Sequence, residues 1–576
     1  MEYYFSVPDP QDRFINIQAV FTNESRKPTI TIKLPSWRPG RYELAHFSKN
    51  IKGFKALKFN GDETSFKKTA RDTWEINTDG QGISVVYRYY AAQLDAGACW
   101  ADNYQLYVNP VHCCVFDPDQ LELPCVVHLE LPEGWITATG MNKKDERTLY
   151  AGDHHELFDS PFICSPELKH AAYSVDDIRF HIWMQGDADP DWNRIVKDFE
   201  AFTKLQIQSM TGFPAPEFHF LVQLTPYPFY HGVEHLKSTV LALGPGYKLM
   251  QDDIYNDFLG VASHELFHCW NVKTIRPVEM LPYDYTRENY AETGYVYEGV
   301  TTYFGDLYLA RSGFFNLQQL LDEYSSRLQK HLDNPGRYNY SVAESSFDTW
   351  LDGYVPGIPG RKVSIYDEGC LLALAMDFMI RSATHNMKSL DDVMRVLYID
   401  FGLKGIGYSA ADYKSVCEKT GGRSFDAFFN EYVNAPASYE HLLEEVLSLA
   451  GLEIQYKESA GKAESLLGIK TEQRNQNTIV TAVYPGSPAY NAGLIKDDEL
   501  ISFNGTRIAG NLDELCAFKT FDTVEIITST SRKIVRVQLD KQQEQYYKKA
   551  RIVSAEQLTM AQVQFRDAWL NISKPK

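Results

Sequence analysis

His264-Glu265-Leu266-Phe267-His268 constrains this chain more than any other stretch. Two imidazoles four residues apart can grip one small cation only if the backbone between them is helical, because a helix brings positions i and i+4 to about 5–6 Å at Cβ on one face. The flanks agree. Ile254, Phe258, Leu259, Val261, Ala262, Leu266 and Phe267 recur at three- and four-residue spacing, and Arg276-Pro277 marks the end of the pattern. With 15 His in the chain, the motif arises by chance on the order of a few per cent of the time. Two histidines and a glutamate on one buried face would also need partners. Spacing and donor types are those of a zinc hydrolase.

A catalytic zinc takes three protein ligands and leaves one position for water, so His264 and His268 need a third donor. Glu298 is the candidate. Its surroundings, Val296-Tyr297-Glu298-Gly299-Val300-Thr301-Thr302-Tyr303-Phe304, read as a second helix with Val296, Val300, Tyr303, Phe304 and Leu307 toward a core and Glu298 on another face. Zinc lowers the pKa of a bound water to about 7, and Glu265, next to a ligand rather than one itself, is suited to be the general base. The developing oxyanion needs a donor besides the metal. With 36 tyrosines in the chain, spacing alone selects none of them.

The length of 576 residues allows three or four domains. A net charge of −19 argues against nucleic acid or an anionic membrane as partner. The start, Met1-Glu2-Tyr3-Tyr4-Phe5-Ser6-Val7-Pro8, carries no secretory signal pattern, and the longest apolar run, Cys370 to Ile380, is interrupted by Asp377 and too short to span a bilayer. Nine scattered cysteines without a C-x-x-C pattern suit a reducing compartment, so a cytoplasmic location is expected.

Residues 1–185 read as β-rich: Thr29 to Leu34, Ile83 to Tyr89 and Val127 to Leu131 alternate or carry β-branched and aromatic residues between Pro and Gly turns. Residues 186–450 become mainly helical, with helical spacing in Trp192 to Gly212, Leu317 to Leu332 and Gly369 to Ser382. Residues 451–540 return to short strands and turns, and 541–576 read as a charged helical tail. The fold class expected is multidomain α+β.

The chain resembles the gluzincin metallopeptidases, and among them the M61 family of glycyl aminopeptidases that carry a PDZ domain. Leu34-Pro35-Ser36-Trp37-Arg38-Pro39-Gly40-Arg41-Tyr42-Glu43 is similar to that family's N-terminal β-domain motif, His264 to Lys273 to its zinc helix, and Glu298-Gly299-Val300-Thr301-Thr302-Tyr303 to its third-ligand motif. Tyr366-Asp367-Glu368-Gly369 resembles the Tyr-x-Lys-Gly segment, with Glu368 where Lys is common, and implies Tyr366 as oxyanion donor. Tyr230-His231-Gly232-Val233-Glu234-His235 resembles the Gly-Gly-x-Glu-His motif, with His231 where Gly is common. That likeness implies substrate binding at Gly232, Val233 and Glu234, the last holding a free α-ammonium. At the far end Leu467-Gly468-Ile469 resembles the carboxylate loop of a PDZ domain, continued by Ser487 to Leu494 and Asp498 to Ile501, and implies that a peptide C-terminus adds there as a strand.

The resemblance thus implies a zinc aminopeptidase: an N-terminal β-domain, a mainly helical, thermolysin-like catalytic domain and a PDZ domain, acting on peptides with a free amino terminus, Gly or Ala first. Two alternatives use the same residues: a zinc endopeptidase, and a PDZ peptide-binding protein with an inactive metallopeptidase body. His154-His155-Glu156, in the β-rich region, reads as a solvated loop rather than a ligand cluster, and Cys269, about 100° around the helix from His268, as a packed thiol.

Overall fold

Apolar residues at every second position make the first 165 residues sheet. In Phe14–Phe21, Ile15, Ile17, Ala19 and Phe21 face inward while their neighbours do not. An eight-stranded sheet runs Asn142–Asp145, Thr148–Ala151, Cys125–Glu130, Glu2–Ser6, Phe14–Phe21, Ile83–Tyr90, Ile51–Lys58 and Glu63–Thr64, beside sheets of four and three strands. The computed structural model describes residues 1–518, 522–540, 542 and 545–571. It divides into two compact units, one made of Met1–Leu320, Gly336–Ala450 and the segment from Met560, the other of Leu321–Pro335 and Gly451–Thr559.

Within the first unit the body that carries the His264 to His268 motif is built on a five-stranded sheet. Its elements are β1 (Lys169–Val175), β2 (Ile178–Gln185), α1 (Trp192–Met210), β3 (Glu217–Leu224), β4 (Phe229–Glu234) and β5 (Ser238–Gly244), with strand order β1-β2-β3-β5-β4. The boundary expected at 185 therefore falls inside this sheet. β1 and β2 read as continuing the N-terminal β region, but β2 pairs in parallel with β3 across a helical crossover, so by pairing they belong with the residues that follow. α1 packs its aromatic stripe on one sheet face, with Phe199 4.9 Å from Phe220 and 5.1 Å from Phe258.

The helices follow: α2 (Asp252–Phe267), α3 (Thr301–Arg311), preceded by a wider π-helical turn over Tyr295–Val300, and α4 (Asp367–Ala383). A helix over Met560–Leu570 docks here through Trp569, fully buried, whose indole N–H donates to Tyr303 at 2.9 Å. The 541–576 segment, expected to be helical throughout, also holds a strand, Lys549–Ser554, because Ala550 and Ile552 alternate inward where the strand pairs with Leu452–Lys457. Residues 541, 543, 544 and 572–576 of that tail lie outside the described residues.

In the second unit the PDZ sheet runs Ile469–Arg474, Asn477–Val483, Glu499–Phe503, Thr523–Ser529 and Ile534–Asp540, leaving Ile469–Arg474 on an edge. Leu467 ends a helical turn over Ala463–Leu467, Gly468 has φ +72°, and its amide donates to Glu464 O at 3.2 Å. Among the described residues no helix is long and apolar enough to cross a membrane.

Candidate active site

α2 ends on the motif itself. His264 lies in its last turn and His268 is its C-terminal cap. His268 Nδ1 sits 2.7 Å from the backbone oxygen of Asn271, so Nδ1 carries a proton there and Nε2 is the ring nitrogen turned outward. That Nε2 lies 3.0 Å from His264 Nε2 and 3.4 Å from Glu298 Oε2, and His264 Nε2 is 4.0 Å from the same oxygen. Donors around a tetrahedral zinc with bonds of ~2.0–2.2 Å lie about 3.3 Å apart. The three donors thus surround a space of the right size.

Glycines let the elements come this close. Gly299 follows Glu298 and Gly369 lies in the first turn of α4; a Cβ on either would run into the other's Cα. Gly305 of α3 lies against His264, where a Cβ would be 3.1 Å from that residue's Cα. Asn271 fastens the end of α2 to the Glu298 turn, its amide donating to Val296 O at 2.9 Å and Thr301 Oγ1 at 3.1 Å. The helix expected around Glu298 takes the wider π form, and Tyr295 to Val300 are all buried. Such turns recur at functional sites.

Glu234, Glu265 and Glu298 are 4%, 5% and 2% exposed. Three carboxylates buried together need positive charge. Burial, together with Glu234 and Glu298 and against the pull of His268, raises the Glu265 carboxyl well above its ordinary range. Glu298 is raised by burial against the pull of His268. Burial opposes charge on His268, but Glu298, Glu234 and Glu265 together push it up to about 10. Glu234 Oε1 and Glu265 Oε2 are buried without a hydrogen-bond partner. These orphaned acceptors and the His-His-Glu donor set fit a divalent cation with an ammonium and a water beside it.

β4 is the edge strand of its sheet and ends at Glu234. Gly232 lies so close to Glu265 Oε1 that a Cβ would overlap it, so the edge backbone runs directly past the general-base candidate. Val233 is buried in the apolar cluster with Leu221 and Val240. His231 is half-buried, and burial followed by the charge of Arg38 pulls its pKa down to about 4, so the imidazole is neutral. Tyr366 is the cap of α4 and has Tyr354 as a neighbour. Burial, then Glu298, Tyr354 and Glu234, hold its phenol well above the ordinary range and keep it a proton donor.

His264, Glu265, His268, Glu298, Glu234, Gly232 and Tyr366 therefore come together. Leu467, Gly468 and Ile469 lie in the other unit. Tyr42, Gly40, Asn271 and Tyr354 join the site without a spacing that singles them out. Tyr42 donates to Glu298 Oε1 at 3.0 Å, and Gly40, at φ +79°, lies against the Glu234 carboxylate. Both fall within the Leu34 to Glu43 motif, so the signal was present without a contact to give it meaning. His154, expected in a solvated loop, is fully buried instead, its Nε2 3.1 Å from Tyr3 OH and its Nδ1 3.1 Å from Leu121 O. Cys269 is a buried thiol.

A second group, His181, Glu217 and His219, also clusters at ligand spacing. There the Trp183 indole donates to His219 Nδ1 at 3.1 Å, which places the ring proton on Nε2 and removes the lone pair a metal would need. Of the three groups at ligand spacing among the described residues, that of His264, His268 and Glu298 turns two imidazole Nε2 atoms toward one carboxylate.

Comparison with known proteins agrees with this geometry. Residues 2–166 match the Peptidase M61 N-terminal domain, 257–372 the M61 glycyl aminopeptidase domain, and 479–518 a PDZ domain. The crystal structure of an aminopeptidase N family protein from Idiomarina loihiensis superposes with a TM-score of 0.90 at 27% identity, covering 99% of this chain and 100% of that one. An M1 zinc metallopeptidase from Deinococcus radiodurans aligns remotely, with a TM-score of 0.45 at 12% identity over 73% of this chain and 89% of that one. No curated protein matches the sequence. The two M61 models bracket the edge strand in sequence, the second of them spans the His264, His268 and Glu298 cluster, and a PDZ model follows, so the chain matches the M61 peptidases that carry a PDZ domain.

Proposed function

We propose that the chain is a zinc aminopeptidase that removes the first residue, Gly or Ala, from peptides with a free amino terminus. The observation that carries this reading is the orphaned Glu234 oxygen beside the His264, His268 and Glu298 donor set. An ammonium at Glu234 fixes where the peptide starts, which makes an exopeptidase of a site that would otherwise cut internally. Zinc, held by His264, His268 and Glu298, supplies a Lewis acid that polarises the scissile carbonyl and acidifies water.

The remaining steps belong to the protein. The peptide lies along the β4 edge at Gly232 and Val233, its ammonium at Glu234 Oε1. Glu265 Oε2 takes a proton from the attacking water and returns it to the leaving amine. The Tyr366 hydroxyl donates to the carbonyl oxygen as negative charge develops there. The PDZ domain adds a peptide C-terminus as a strand beside Ile469–Arg474.

The test compares a free and an N-acetylated peptide on wild type and Glu234→Ala, with zinc content measured in both. Truncating one partner of a buried charge pair costs about 2–5 kcal/mol. That loss is expected for the free peptide alone, with zinc retained. An equal loss on both peptides would favour the endopeptidase reading.

A further inference from the structure

Arg38 is a buried cation that the reaction above does not use. It is 4% exposed, its Nη1 donates to Pro39 O at 3.1 Å, and its guanidinium plane lies on Gly97 so closely that a Cβ there would overlap it. It makes no ion pair among the described residues. A buried charge is strongly unfavourable unless something answers it.

Arg38 forms one wall of a cavity of about 210 Å³ that is also bounded by Arg41, Lys49, Asp95 and His112. Of the carboxylates there, Glu43 pairs with Arg41 at 2.5 Å, while Asp95 accepts only from neutral donors, the Gly97 amide at 2.7 Å and the Gln93 side chain at 2.5 Å. Lys49 is exposed and makes no ion pair among the described residues. His112 is 8% exposed and its Nε2 is buried without a partner. Burial, then Arg38 and Arg41, hold its pKa well below the ordinary value, so it is a neutral ring able to present an N–H. With Arg41 paired to Glu43, the Arg38 and Lys49 cations face one carboxylate, Asp95, whose partners are neutral, so the cavity keeps a net positive charge with a neutral donor beside it.

It also adjoins the chemistry. The Arg38 charge is felt by Glu265 and by His231 of β4. Arg41 stacks on Tyr354 at 4.7 Å, whose hydroxyl accepts from the Tyr42 amide, and Tyr42 holds Glu298.

We propose that this cavity is an anion subsite that holds a carboxylate of the peptide being cut, with Arg38 and Lys49 as charge partners and His112 Nε2 as a neutral donor. The inference rests on the peptidase reading above. Two sources supply the same group: the terminal carboxylate of a short peptide, or an acidic side chain next to the scissile bond.

The experiment measures kcat/KM for wild type, Arg38→Gln and Lys49→Gln on two matched pairs. One pair is Ala-Ala-Ala as acid and as amide; the other is Asp-Ala-Ala-amide and Asn-Ala-Ala-amide. Wild type is expected to prefer the carboxylate member of one pair by roughly tenfold or more, the usual worth of hydrogen bonds to a charged group, and that pair names the source. The preference should fall toward unity in both variants; Lys49→Gln, at an exposed position, keeps the test open if Arg38→Gln fails to fold. Ratios near one for both pairs in wild type would overturn the proposal. So would an Arg38→Gln loss that is equal on all four peptides with the ratio preserved, since Arg38 would then serve only as counter-charge to Glu265. Calorimetric binding of the same peptides to Glu265→Gln separates the two readings: a carboxylate preference there with no turnover in wild type sustains the subsite and removes the peptidase.

Discussion

Tyr42→Phe removes one oxygen and leaves the packing in place. The ring stays against Tyr297 at 5.3 Å and Trp350 at 5.9 Å, so the variant should fold with the same core. What disappears is the 3.0 Å hydrogen bond to Glu298 Oε1, made at a residue only 2% exposed, where no water replaces it. A hydrogen bond to a charged group contributes about 1.5–3 kcal/mol, and partners that orient metal ligands typically account for about 10–100-fold in metal affinity. Those ranges coincide, so zinc should bind about 10–100-fold more weakly. The bond also favours the ionised form of Glu298, so its loss raises that carboxyl further and zinc must displace a proton more often. The deficit should therefore grow as pH falls. Chelator competition at two pH values measures it, with thermal unfolding of metal-free protein as the packing control. An unchanged zinc Kd at both pH values would mean that the N-terminal β region does not support the metal site.

Glu298→Ala should lose zinc altogether, measured by metal content after dialysis; full occupancy would mean that another residue is the third ligand. Glu265→Gln should keep zinc and fold yet lose most turnover, because the amide cannot accept a proton. Tyr366→Phe should lower kcat by about 10²–10³ with little change in KM, the usual effect of removing an oxyanion donor; wild-type rates in either would refute the assigned roles. His154, buried and pulled down to about 4, is protonated in the unfolded chain near 6.5 but not in the folded protein until about 4. Its contribution is full above pH 6.5 and declines as pH falls toward 4, by about 3 kcal/mol in all; parallel stability–pH curves for wild type and His154→Gln would refute this.

The sequence carried the metal site because its information is local. His264, Glu265 and His268 lie within one and a half turns of one helix, and a period read off five residues fixes their common face. Glu298 requires the idea of a missing third ligand, and its helix differs from the one the spacing predicts: a π-helical turn leaves no mark in apolar spacing, since every residue from Tyr295 to Val300 is buried whichever way it turns. The boundary at 185 failed for a related reason. Ile178–Gln185 alternates as any strand does, and nothing in its own residues says that its partner is Glu217–Leu224, beyond a helix, rather than the strands before it. His154 reads as polar and sits in a short polar run; only its distant partners Tyr3 and Leu121 explain its burial.

Contacts of long sequence separation also decide what the catalytic body needs. Within six residues of one loop, Trp37 donates to Asp284 O at 2.7 Å, Arg38 bears on Glu265, Gly40 lies against Glu234 and Tyr42 holds Glu298. Each of the three buried carboxylates thus has a neighbour from a segment more than 190 positions earlier in the chain. A fragment beginning at Lys169 would keep the sheet, α2 and both histidines, yet it would expose Glu298 Oε1 and Glu234 to water and leave Glu265 without the Arg38 charge that, with His268, opposes its protonation. The N-terminal region is then part of the active site in the electrostatic sense, and the Leu34 to Glu43 motif is chemically as specific as the histidines it serves.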